Sequence, residues 1–125
     1  MKPIDIRLIS AGILFVLVIA SGMWVTRLGR PLNMVIFTAH KLIVLACLIM
    51  MILIVRALAK GAVMNPAIIA AIACTALFFV IMFATGVVLS FEKPAPRFVL
   101  LIHKILPAAT LASSAITVYL LKGFA

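Results

Sequence analysis

Acidic residues are nearly absent from this chain. Asp5 and Glu92 are its only carboxylate side chains, against eleven lysines and arginines in 125 residues, for a formal net charge of +9. Both lie at the ends of apolar runs and none lies inside one. A cation-coupled membrane carrier that works through an embedded carboxylate is therefore disfavoured. Polar sequence is equally scarce: 68% of the residues are hydrophobic and 10% are charged, which leaves no room for a water-soluble domain. The basic residues are scattered at the ends of apolar runs and are not interleaved with aromatics. That pattern does not point to nucleic acid and fits interfacial anchoring to anionic lipid. Cysteine is limited to Cys47 and Cys74 in separate runs. They supply no disulfide framework, and each thiol reads as a small hydrophobe.

What the chain has in abundance is apolar runs of membrane-spanning length. Leu8 to Thr26 and Pro66 to Phe91 carry no charge, Leu32 to Val55 carries only His40 and Lys41, and Phe98 to Leu121 only His103 and Lys104. About 20 apolar residues suffice for a helix to cross a bilayer. The first run has a basic flank, Lys2 and Arg7, and a small-residue stretch, Ala20-Ser21-Gly22, as a cleaved signal peptide would. Its length favours a retained helix instead. Arg27-Leu28-Gly29-Arg30-Pro31 is a tight connection, with Pro31 suited to a helix's first turn. Phe91 to Arg97, with Pro94 and Pro96, is its counterpart, and Asn65-Pro66 reads as an N-cap followed by a first-turn proline. The expected fold is an all-α integral membrane protein, a single domain over residues 1–125 forming an up-down four-helix transmembrane bundle.

The histidines reveal a tandem repeat. Arg30-Pro31, eight residues, His40-Lys41-Leu42 recurs as Lys93-Pro94, eight residues, His103-Lys104-Ile105, and these are the only two histidines in the chain. At the same offset of 63, Ala46 meets Ala109, Leu48 meets Leu111 and Val55 meets Val118. At an offset of 64, Phe15 meets Phe79, Val16 meets Val80, Ala20 meets Ala84, Gly22 meets Gly86, and Ser21 meets Thr85. Each unit, about residues 8–58 and 66–122, is then two helices long, which makes the repeat parallel and puts His40 and His103 at equal depth.

An ionisable residue inside a membrane is a functional hypothesis by default. In a square bundle with axes about 8–10 Å apart, the diagonal between helices two and four is roughly 11–14 Å. That suits imidazole, a metal in a flat macrocycle, and a second imidazole. Positions sharing the face of His40 are Asn33, Phe37, Val44, Cys47 and Met51. Those sharing the face of His103 are Leu100, Pro107, Thr110, Ser114 and Thr117, a small and polar stripe expected to face the interior. Pro107 removes the amide that would serve the carbonyl of His103, so a kink is expected there. Gly22 and Gly86 permit close approach, either of a macrocycle or of a neighbouring helix. Lys41 and Lys104 lie about 16 Å in from Arg30 and Lys93 by helix rise. They either neutralise the propionates of a haem, with Arg30 and Arg97 nearer the surface, or snorkel to lipid phosphate. The second ring nitrogen of each histidine is expected to donate to a backbone carbonyl of the preceding turn.

This pattern resembles the small four-helix b-type cytochromes of bacterial membranes and is broadly similar to the cytochrome b561-like group, whose bundles hold haem through histidines on different helices. The resemblance covers all four helices as architecture and rests on His40 and His103 as axial ligands. That group typically has four or more ligating histidines and two haems, whereas two histidines can bis-ligate only one. No Cys-x-x-Cys-His motif is present, so covalent attachment is not indicated. The expected function is electron transfer through one non-covalent haem b, as an electron carrier or oxidoreductase subunit more than a stand-alone enzyme. A quinone or redox protein is the expected partner, a homo-oligomer is compatible with it, and the bacterial inner membrane is the expected location. Two other readings stand beside it: a small proton- or cation-coupled transporter, and a cofactor-free anchor or assembly subunit.

Overall fold

The structure, a computed structural model, describes residues 1–91 and 93–123; Glu92, one of the two acids, lies outside the described residues. It consists of α1 (Pro3–Leu28), α2 (Met34–Ala59), α3 (Pro66–Ser90) and α4 (Arg97–Gly123), with no strand among the described residues. The all-α, four-helix class expected from the sequence is the class observed. Each helix is long and apolar enough to cross a membrane. At 1.5 Å per residue even the shortest reaches about 38 Å, beyond a ~30 Å hydrocarbon core.

Local chemistry sets the helix ends. Pro3 opens α1, and the carboxylate of Asp5 accepts the Lys2 backbone N–H at 3.3 Å. The helix stops at Gly29, whose φ of 68° is a conformation that glycine adopts without steric cost. The start of α2 differs from expectation. Pro31 stays in the connection, joined to Arg30 by a cis peptide bond, and the helix begins at Met34. Asn33 is the cap: its Oδ1 accepts the Val35 and Ile36 N–H groups at 3.1 and 3.2 Å. It therefore stands just before the helix, as its cap. Asn65 caps α3 as expected, accepting from the Ile68 N–H at 2.9 Å, with Pro66 as the first helical residue. The end of α3 falls one residue short of the expected Phe91, and α4 runs through Pro107 as one helix.

The chain divides into two compact units, Met1–Ala57 and Leu58–Ala125. In the first, α1 buries Ala11, Phe15 and Val18, and α2 buries Val44, Cys47, Met51 and Ile54. In the second, α3 packs on α4 and buries Ile68, Thr75, Phe79 and Met82, while α4 buries Leu106, Thr110, Ser114, Thr117 and Leu121. Spacings of three and four put each set on one helical face. The buried positions largely coincide at the repeat offsets. Ala11, Phe15 and Val18 correspond to Thr75, Phe79 and Met82, and Cys47, Met51 and Ile54 correspond to Thr110, Ser114 and Thr117. The polar stripe of α4 is interior as expected, except that Leu100 at its start is 39% exposed. Large apolar side chains such as Ile13, Val16, Ile49, Val80 and Ile116 point outward, the arrangement that lipid contact requires.

Candidate functional site

Each unit holds its histidine in the same way. In the first, His40 on α2 places Nδ1 2.7 Å from the Ser21 hydroxyl on α1. In the second, His103 on α4 places Nδ1 2.8 Å from the Thr85 hydroxyl on α3. Both rings are half-buried.

The direction of these bonds follows from counting protons. A hydroxyl has one hydrogen to donate. Ser21 gives its hydrogen to the carbonyl of Val18, at 3.2 Å. Thr85 shares its hydrogen between the carbonyls of Ile81 and Met82, at 2.8 and 3.1 Å. With those hydrogens on the carbonyls, each oxygen offers the imidazole a lone pair and accepts from Nδ1–H. The carbonyl of Met82 is a further backbone acceptor for the His103 ring. In a neutral imidazole that protonates Nδ1, Nε2 carries the lone pair. This is the form in which histidine ligates a metal through Nε2, with its other nitrogen fixed by an outer hydrogen bond. A carbonyl one turn back in the same helix was the expected acceptor. The principal acceptor is instead a hydroxyl on the preceding helix, which ties ring orientation to the packing of the pair.

The glycines serve the rings directly. A Cβ on Gly22 would lie 3.2 Å from Cε1 of His40, and one on Gly86 would lie 3.3 Å from Cε1 of His103. Both are tighter than ordinary carbon contacts. The clearance expected for a macrocycle or a helix is thus used first by the imidazole edge. The structure brings together Ser21, Gly22 and His40 in one unit, and Thr85, Gly86 and His103 in the other. The repeat pairs Ser21 with Thr85, and the sequence expectation does not include them among the site residues. Their signal was present: a hydroxyl-glycine pair, Ser21-Gly22 and Thr85-Gly86, repeated upstream of each histidine.

The cationic residues occupy more open positions. Lys41 is exposed, and its Nζ lies 4.2 Å from the centroid of the Phe37 ring, one turn nearer the start of α2. That is the direction in which a snorkelling lysine leans. Lys104 is also exposed, and Leu100 stands where a ring would match Phe37. Arg30 is exposed in the α1–α2 connection, and Arg97 is exposed as the first residue of α4.

Among the described residues no three histidine, cysteine or acidic side chains converge as a metal-binding group. Haem iron asks less of the protein, since the macrocycle supplies four nitrogens and only axial ligands remain to be provided. Each imidazole, with Nδ1 on a hydroxyl, leaves Nε2 able to supply one such ligand. Fold and site together define an all-α chain with four helices of membrane-spanning length and two equivalently held histidines. Comparison with protein-family models, with curated proteins and with solved structures gives no match.

Proposed function

We propose that this chain is a membrane electron-transfer protein that binds one b-type haem non-covalently, with His40 and His103 as its axial ligands. One observation supports the reading above the others: both histidines, one per repeat, place Nδ1 against a hydroxyl whose hydrogen has a backbone acceptor, an arrangement that suits ligation through Nε2. A structural histidine needs a hydrogen-bond partner, but nothing in that role requires the same partner chemistry twice.

When bound, the haem supplies reversible one-electron chemistry at its iron. The protein's part is binding and orientation. His40 and His103 donate their Nε2 lone pairs, Ser21 and Thr85 hold the rings, and Gly22 and Gly86 leave space for the Cε1 edges. Lys41 and Lys104, with Arg30 and Arg97, supply positive charge for the propionates. With both axial positions taken by protein, the chemistry is electron exchange and not oxygen activation. The partner is a quinone or a redox protein, and the location is a membrane, on this reading the bacterial inner one.

An absorption spectrum of the protein purified from haem-replete cells tests this. A low-spin haem spectrum that sharpens on reduction is expected, and a colourless preparation removes the reading. His40→Ala and His103→Ala should each abolish the low-spin spectrum. If either variant keeps the wild-type spectrum, that ligand assignment is wrong.

A further inference from the structure

The two units share a register of buried positions but not its chemistry. Where the first buries Ala11, Cys47, Met51 and Ile54, the second buries Thr75, Thr110, Ser114 and Thr117. Half-buried Met50 likewise corresponds to Ser113. A cluster of hydroxyls therefore lies inside the second unit at positions that are apolar in the first.

The protons of this cluster can be assigned one by one. Thr117 donates to the carbonyl of Ser113 at 2.9 Å, so its oxygen accepts from Thr75 at 3.0 Å. With its hydrogen committed to Thr117, Thr75 accepts from Ser113 at 2.6 Å. Thr110 donates to the carbonyl of Leu106 at 2.8 Å. Ser114 differs from all of these. It is 3% exposed, and its hydroxyl has no hydrogen-bond partner among the described residues. Ser10, Thr26, Thr110 and Thr117 each bond the carbonyl four residues back, but Ser114 does not. A buried unsatisfied hydroxyl is costly in any apolar medium.

We propose that Ser114 anchors an internal water in the second unit. Ser114 lies one turn after Thr110 and one turn before Thr117 on the same face of α4. The water accepts the Ser114 hydrogen. It donates to a lone pair of Thr110, whose own hydrogen is already committed to Leu106. Those two contacts are the fewest polar partners that a buried water needs. The hydrated segment begins seven residues past His103, about 10 Å along α4. The first unit has Cys47 and Met51 at the corresponding positions and is dry there. This inference does not depend on what the histidines ligate.

The test is water-edited solid-state NMR of the full chain in lipid bilayers, with serine, threonine and methionine labelled. Magnetisation from water should reach Ser114 and Thr110 several-fold faster than Met51. In Ser114→Ala the transfer to Thr110 should fall to the Met51 rate. Equal slow transfer to Ser114 and Met51, or unchanged transfer to Thr110 in the variant, overturns the proposal. Thermal unfolding gives an independent readout. If the hydroxyl is hydrated, Ser114→Ala leaves the midpoint unchanged or lowers it, and a raised midpoint means that a dry, unsatisfied group has been removed. All of these readings are made with or without bound haem, so a colourless but hydrated protein would refute only the cytochrome reading.

Discussion

A neutral imidazole carries one ring proton, and its position decides which nitrogen can bind a metal. Here the groups facing Nδ1 are two hydroxyls, each with a carbonyl of its own helix to take its hydrogen. Ser21→Ala and Thr85→Val delete the acceptor while leaving the histidines in place. Loss of such an outer partner typically costs 10–100-fold in metal affinity, which is about 1.4–2.7 kcal/mol. Haem titration of the apoprotein should show a weakening of that order for each variant, and Ser21→Thr and Thr85→Ser should bind as the parent does. Wild-type affinity in the alanine and valine variants would show that the hydroxyls do not orient the ligands. The glycines separate packing from function in a different way. Alanine is a better helix former than glycine by about 1 kcal/mol, so Gly22→Ala and Gly86→Ala should keep or raise helix stability. Yet a Cβ 3.2–3.3 Å from Cε1 must displace the ring by a few tenths of an ångström. The expected result is unchanged helical circular dichroism with a perturbed low-spin electron paramagnetic resonance signal. A signal identical to the parent's would mean that the ring has room to spare.

At the level of helices, what could be read from the sequence depended on whether the deciding interaction is local. Four apolar runs of spanning length are a property of composition, and all four appear as helices. Asn65-Pro66 was legible because cap and first-turn proline coincide. Pro31 misled because its fixed φ suits a first turn, while the real cap is Asn33, two residues on, whose amide oxygen collects two N–H groups. The histidines stood out as the only pair in the chain, and Gly22 and Gly86 as matched positions. Ser21 and Thr85 did not, because a helical serine or threonine ordinarily bonds its own backbone, and both do so. What makes them site residues is the remaining lone pair, and its aim depends on how one helix is rotated against the next. The caps offer a test at this scale. Replacing an asparagine cap by alanine costs about 0.5–2 kcal/mol. Asn33→Ala should lower stability by about that amount in reversible unfolding from mixed micelles. Pro31→Ala, outside the helix, should cost less. The opposite ranking would return the start of α2 to the proline.

Over the whole molecule, the duplication raises the question of how many haems two matched clusters would serve on the proposed reading. On the proposed reading each unit would contribute one Nε2 ligand, and a low-spin iron needs two axial donors. No other histidine exists in the chain to complete a second pair. Shared ligation therefore predicts one low-spin haem per polypeptide, whereas independent clusters would give two haems, each with a single histidine and a high-spin spectrum. Pyridine haemochrome quantitation against amino-acid analysis distinguishes these outcomes. A ratio near one in the parent is expected, with loss of the low-spin species in either single-histidine variant. A ratio near two, or a high-spin parent, would break the bis-histidine assignment while leaving each hydroxyl–imidazole–glycine cluster intact. The same arithmetic bears on the route of the electron. On the proposed reading a single haem site would receive an electron and pass it on, so both donor and acceptor would come from outside this chain. Exchange should therefore be fast with an added quinol or redox protein, and reconstituted vesicles of the isolated protein should carry no electrons across the bilayer by themselves.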